Sequence, residues 1–192
     1  MATFIDLDSI FRDKDQFPNP NDYELFPNQV DSWFNRSRIV RKFADDPSKR
    51  PVEFVVTLNI KYLTLPYSEE LAILPRVYVE FYSQKYKDMY HISTINGGHV
   101  YAKFICIPDR IQNDIAGDPL WIHYKCTMEQ TMRFERNFPI SFKITSRSDD
   151  VLPSLDSPEG EDPDPTKQTL CTLEMTTYLR DGDYSNHNVE PL

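Results

Sequence analysis

Between Val52 and Leu65 the chain alternates with a period of two. Phe54, Val56, Leu58, Ile60 and Tyr62 fall on one side, and Thr57, Asn59 and Lys61 fill the positions between. Successive side chains of a strand point to opposite faces, so this spacing builds a strand with one dry and one wet face. A helix would scatter the same residues around its circumference. Val77, Val79 and Phe81 against Tyr78, Glu80 and Tyr82 repeat the pattern, as do Ile140, Phe142 and Ile144. So do Cys171, Leu173 and Met175 against Leu170, Thr172, Glu174 and Thr176. Further strands are expected over 22–26, 38–43, 100–107 and 120–128, with a resumption at 133–135, and one helical turn over 28–34. Pro66 and Pro108 are expected to stop the strands before them, because proline cannot donate to a ladder.

Strands that recur this closely leave no room for helical crossovers, so the sheet is expected to be antiparallel. A chain of 192 residues, 40 % apolar, suits one domain with a real core. The expected fold is therefore all-β: an antiparallel β-sandwich, a single jelly roll before an immunoglobulin-like sandwich or a small closed barrel. Three parts follow. Residues 1–21, charged and then punctuated by Pro18 and Pro20, read as an extended N-terminal arm. Residues 22–180 form the sandwich with long loops, among them an acidic, Pro-rich loop over 148–166. Residues 181–192 read as a flexible tail.

The formal charge of −9 repels phosphate backbones and argues against nucleic-acid binding. The charge is uneven. Seven acids and no base lie between Arg147 and Lys167, whereas Arg36, Arg38, Arg41, Lys42, Lys49 and Arg50 crowd one stretch. Those opposite signs suit head-to-tail contacts between copies, with Asp162 and Asp164 on the acidic side. Three cysteines at wide spacing read as reduced, structural thiols in a cytosol-like compartment. The N-terminus lacks the pattern of a signal peptide, and no apolar run reaches the roughly 20 residues that span a bilayer.

Chemistry-bearing motifs are sparse. Gly97-Gly98 lacks the Lys-Ser/Thr of a phosphate loop and reads as a turn. His99, Cys106, His123 and Cys126 share one stretch, but a regular strand would point His123 with Trp121 and Lys125, and Cys126 with Ile122 and Tyr124. No metal or cofactor site is therefore expected. There is no Gly-x-Ser-x-Gly turn and no His-Glu-x-x-His. The carboxylates of the acidic loop are expected to be solvated, without the apolar pocket that acid catalysis needs. The segment Glu159-Gly-Glu-Asp-Pro-Asp-Pro165 lacks the spacing of a calcium loop.

The segment Phe11-Arg-Asp-Lys-Asp-Gln-Phe-Pro-Asn-Pro-Asn-Asp-Tyr23 resembles the opening of small structural proteins of large icosahedral double-stranded DNA viruses, the nucleocytoplasmic large DNA viruses. Similar blocks follow at Leu74-Pro-Arg-Val-Tyr-Val79, Ala102-Lys-Phe-Ile-Cys-Ile-Pro-Asp-Arg-Ile-Gln112, Pro119 to Phe134, and Pro163-Asp-Pro-Thr-Lys-Gln-Thr-Leu170. The resemblance implies a jelly roll or similar sandwich serving as a penton or minor capsid protein, with no catalytic residues. Its expected partners are the major and minor capsid proteins, with self-association, and its expected place is the virion, assembled in the host cytoplasm. The expected contact residues are Phe11, Arg12, Asp13, Phe17, Pro18 and Pro20 of the arm, Arg36, Arg38, Arg41 and Lys42, and Asp162 and Asp164. The alternatives are a carbohydrate- or protein-binding sandwich, with Tyr82, Tyr86, Tyr90 and Trp121 stacking on sugars, and last an enzyme on a β fold.

Overall fold

The computed structural model describes residues 2–25, 53–83, 91–92, 99–100, 102–135, 140–147, 150–158 and 160–178. They form eleven strands: β1 (Ala2–Asp8), β2 (Asp22–Leu25), β3 (Glu53–Pro66), β4 (Val77–Ser83), β5 (His91–Ile92), β6 (His99–Val100), β7 (Ala102–Asn113), β8 (Pro119–Cys126), β9 (Glu129–Glu135), β10 (Ile140–Thr145) and β11 (Leu170–Tyr178). The one α-helix among the described residues is a single turn, α1 (Glu69–Ala72), started by the Ser68 hydroxyl accepting from the Leu71 amide. The expected strand at 38–43 and helical turn at 28–34 lie outside the described residues, as does the tail at 181–192.

Nine strands make one curled antiparallel sheet in the order β1-β11-β3-β8-β7-β4-β10-β2, with β9 continuing the path of β8 along β3. The pair β5-β6 stands apart. Setting β9 and that pair aside leaves eight strands, and each pairs with its counterpart from the other end of the chain. The first pairs with the last (β1, β11), the second with the seventh (β2, β10), the third with the sixth (β3, β8) and the fourth with the fifth (β4, β7).

The inner faces supply one core. Val77, Val79 and Phe81 of β4, Phe142 and Ile144 of β10 and Leu173 and Met175 of β11 are all fully buried, as the period of two requires. Phe81 makes edge contacts with Phe104 and Phe142 at 5.9 and 5.7 Å, and Tyr23 of β2 tilts onto Phe142 at 5.1 Å. Each such side chain stabilises the fold by about 1.5–3 kcal/mol through burial.

Three expectations are corrected. The alternation of β3 does not run through Tyr62. The register against β11 shifts between Thr172 and Leu173, so Tyr62 turns outward, 70 % exposed, while Leu63 and Leu65 turn inward. Pro108 does not end its strand: β7 runs on to Asn113, and a register shift between Pro108 and Arg110 accommodates the missing donor. The sheet does not begin at residue 22. Ala2–Asp8 is the sheet's edge strand, with Ile5 and Leu7 buried, because its Phe-Ile-Asp-Leu alternation fits the pleat beside β11.

Some of the buried polarity sits on the other face. Glu80 is fully buried; it accepts from the Thr145 hydroxyl at 2.9 Å and the Tyr82 hydroxyl at 2.5 Å, and pairs with Lys103 Nζ at 2.6 Å. Lys103 also lies 4.4 Å over the Tyr78 ring. The side-chain amide of Gln130 on β9, a strand that pairs with β3 and not with β7, bonds both backbone groups of Lys103, a side chain standing in for a strand partner.

Candidate functional site

The segment between β1 and β2 is built around one guanidinium. Asp8 caps a 3-10 turn over Ser9–Phe11 by accepting from the Ile10 amide, and Arg12 follows it. Arg12 Nε donates to the Phe17 carbonyl at 2.8 Å. Nη1 donates to the Ser9 carbonyl at 2.7 Å and to Gln168 Oε1 at 2.6 Å. Nη2 donates to the Pro18 carbonyl at 2.9 Å and to Asp156 Oδ2 at 2.6 Å. A guanidinium carries five N–H groups in a fixed fork, and here all five are used.

Asp156 is the other pole. Its side chain and that of Arg12 are fully covered. Its Oδ1 accepts from the amides of Ser157 and Asp164, both at 2.8 Å. Burial alone would raise the Asp156 carboxyl, but Arg12, the Asp164 amide, Gln168 and the Ser157 amide outweigh it and hold the pKa at about 2. Asp164 caps the 3-10 turn Pro165–Lys167 through Thr166. Gln168 and Thr169 then join Ser9, and Thr169 donates to Asn21 Oδ1 at 2.7 Å. Asn19 and Asn21 in turn donate to the carbonyls of Leu152 and Pro153. Arm and acidic segment thus strap each other down at the corner where both ends of the sheet path meet.

The structure brings Arg12, Phe17, Pro18 and Asp164 together around Asp156. Pro20 is buried, Phe17 packs against the core, and Asp13 folds back to accept from the Asp15 and Gln16 amides. Phe11 and Asp162 remain exposed, Phe11 at 86 %. Arg36, Arg38, Arg41 and Lys42 lie outside the described residues. The expectation that every carboxylate of the acidic loop is solvated is corrected at Asp156. Sequence reading singled out neither Asp156 nor Gln168 as a contact residue; Asn19, which the sequence suggests as a closer of an Asx turn, does close one onto the Asn21 amide. Chemically this cluster is saturated: its guanidinium has no donor left to offer a substrate.

Free surface lies elsewhere. Beyond Cys106, β7 leaves β4 and runs on as a hairpin beside β8, which is itself paired with β3 as far as Trp121, to a turn at Gly117 whose φ of +94° suits glycine. Ile107, Ile111 and Ile115 on this hairpin are exposed at 52, 50 and 108 %. Phe4, Tyr62 and Leu170 dot the outer face of β1, β3 and β11. His123 stands on the hairpin's outer side, donating from Nε2 to Gln112 Oε1 at 2.8 Å and accepting at Nδ1 from Thr64 at 2.9 Å. Burial, then Arg110, lowers its pKa against an opposing pull from Asp109. Cys126 turns inward, away from His123, as the strand period requires. A cleft of about 550 Å³ opens between α1 and the 152–155 segment, lined chiefly by Leu65, Leu71, Leu74, Leu152 and Leu155, with Glu69 and Glu70 beside it.

Among the described residues no three His, Cys, Asp or Glu side chains gather to hold a metal ion, and no helix is long and apolar enough to cross a membrane. Of the aromatics considered for sugar stacking, Tyr82 is committed to Glu80, Trp121 is half-buried, and Tyr86 and Tyr90 lie outside the described residues. No protein-family model matches this chain, and no curated protein matches it in sequence.

Proposed function

We propose that this chain is a non-enzymatic structural protein of a large icosahedral virus capsid, a minor (cementing) or penton component, built on a single jelly roll. The observation that carries the reading is the strand order. A long antiparallel hairpin rolled up from its closed end pairs first with eighth, second with seventh, third with sixth and fourth with fifth, which is the wrapping of a jelly roll. Viral capsid domains are one use of that fold, beside lectin domains and cupins. The similarity of the Phe11–Tyr23 and Pro119–Phe134 segments to small virion proteins points the same way.

Physical fit supports it further. A lattice repeats any angular error, so its modules need stiff bodies, and the strapping of the 9–21 segment by Arg12 supplies stiffness at the corner of the roll. Contacts with neighbouring capsid proteins are assigned to the β7–β8 hairpin, where Ile107, Ile111 and Ile115 offer exposed apolar side chains. Proteomics of density-purified particles, with cross-linking before lysis, tests the proposal. Recovery of the chain in particles, with cross-links from Lys125 near the hairpin to another capsid protein, is the expected result. Recovery only from fractions without particles would refute it.

A further inference from the structure

We propose that Cys106 and Cys126 form a dithiol site that closes to a disulfide by exchange with small-molecule disulfides, stapling the base of the β7–β8 hairpin. The two residues face each other directly in the β7–β8 register. Directly opposed residues of an antiparallel pair have Cα atoms about 4.5–5.5 Å apart, inside the span of about 4.4–6.8 Å that a disulfide bridges. Both thiols are free. Cys171 is excluded by the same register. It is level with Leu63 and Tyr124, two strands away from β8, and strands about 4.8 Å apart put it beyond the roughly 7 Å limit for bridging.

Burial of a small hydrophobe accounts for Cys106 alone, but not for a second thiol placed opposite it and half-open to solvent. The pair is also divided in chemistry. The Cys106 thiol lowers the Cys126 pKa to about 7 against the opposing effect of burial, helped by backbone hydrogen bonds at Met128 and Ile60. The hydrogen bond with Cys126, and then burial, push Cys106 the other way. The thiolate is the nucleophile, so Cys126 attacks first. It forms a mixed disulfide with one half of the incoming molecule and expels the other half as a thiolate. Cys106 then loses its proton to solvent, its sulfur attacks Cys126 Sγ, and the second half leaves as a thiolate. Two protein thiols are oxidised and one small disulfide is reduced to two thiols.

This inference does not rest on the proposed capsid role, because the site is defined by the hairpin itself. The test is to incubate the reduced, purified full-length protein with glutathione disulfide, then denature it and count free thiols. The expected fall is from three to one, with a peptide linking Cys106 to Cys126 in the unreduced digest. Cys126→Ala, at the half-buried position, should keep both remaining thiols. A stable glutathione adduct on Cys126, a link through Cys171, or no loss of thiols in the wild-type protein would each overturn the proposal. Peptide mapping of the wild type decides the matter even if the variant folds poorly.

Discussion

Replacing Arg12 with alanine takes a covered guanidinium away from all five of its acceptors at once. Asp156 keeps its two amide donors but loses its countercharge, and the Ser9, Phe17 and Pro18 carbonyls lose their shared donor. Breaking a buried ion pair from one side costs about 3–5 kcal/mol, because the remaining charge stays buried without compensation. Domains of this size are stable by about 5–15 kcal/mol, so the loss is a large share of the total. The assay is urea denaturation at neutral pH, followed by circular dichroism, on Arg12→Ala, Asp156→Asn and the double variant. The double variant should be less damaged than the two single losses added together, because each single change orphans a group that the double change removes. The pH dependence supplies a second readout. The Asp156 pKa lies at about 2, below its ordinary 3.8. Its contribution is therefore complete above pH 3.8 and disappears as pH falls through about 2. The difference corresponds to about 2.5 kcal/mol at most, trimmed by solvent screening because the pair lies close to the surface. An Arg12→Ala loss below about 1 kcal/mol, in the range of exposed ion pairs, together with a strictly additive cycle, would refute the reasoning.

Glu80→Ala should cost about 2–3 kcal/mol in thermal or chemical denaturation, since it removes the buried carboxylate that Lys103 Nζ and the Thr145 and Tyr82 hydroxyls share. Glu80→Gln, which keeps the acceptor oxygen, should cost less. Ile115→Asp on the hairpin tip should leave stability unchanged within about 0.5 kcal/mol and, if the proposed capsid role holds, weaken co-sedimentation with the capsid proteins proposed as partners; an unchanged sedimentation profile would remove the hairpin from the contact surface. His123 favours its neutral form in the fold, so its contribution is complete above the ordinary value of 6.5 and declines as pH falls below it. Denaturation of the wild type and His123→Gln across that range should show the wild type losing ground on acidification, and parallel curves would contradict the assignment.

The period of two made the inner face legible residue by residue. Val77, Val79, Phe81, Ile140, Phe142, Ile144, Cys171, Leu173 and Met175 are buried where alternation puts them, because one-sided burial leaves a strand no other register. The alternation failed at Tyr62 for a reason outside the strand. The irregularity that flips it lies in the pairing with Thr172 and Leu173, more than a hundred residues away, and no local window contains it. Pro108 misled in the same manner. A proline ends a strand only if its nitrogen faces a partner, and the topology leaves that stretch of β7 beyond the end of β4. The Arg12–Asp156 pair was illegible because the acidic segment offers seven carboxylates of similar appearance. Which one meets a cation depends on how the 152–169 segment crosses the 9–21 segment.

That crossing changes where a partner can bind. At the N-terminus Arg12 and Asn19 are tied by hydrogen bonds within the molecule and Pro20 is buried, whereas the Pro18 side chain stays exposed. Conformational entropy explains the economy: a segment held by five charge-assisted or backbone hydrogen bonds has already lost the freedom that a grasping arm would lose on contact. An interface built on this fold therefore gains little from ordering the arm. It gains from side chains that are rigid and still wet, and the Ile107, Ile111 and Ile115 hairpin meets both conditions, since it grows from the paired β7–β8 ladder and leaves its apolar groups in solvent. The dithiol at Cys106 and Cys126 sits at the root of that same ladder, so closing it fixes the strand pairing from which the hairpin runs on.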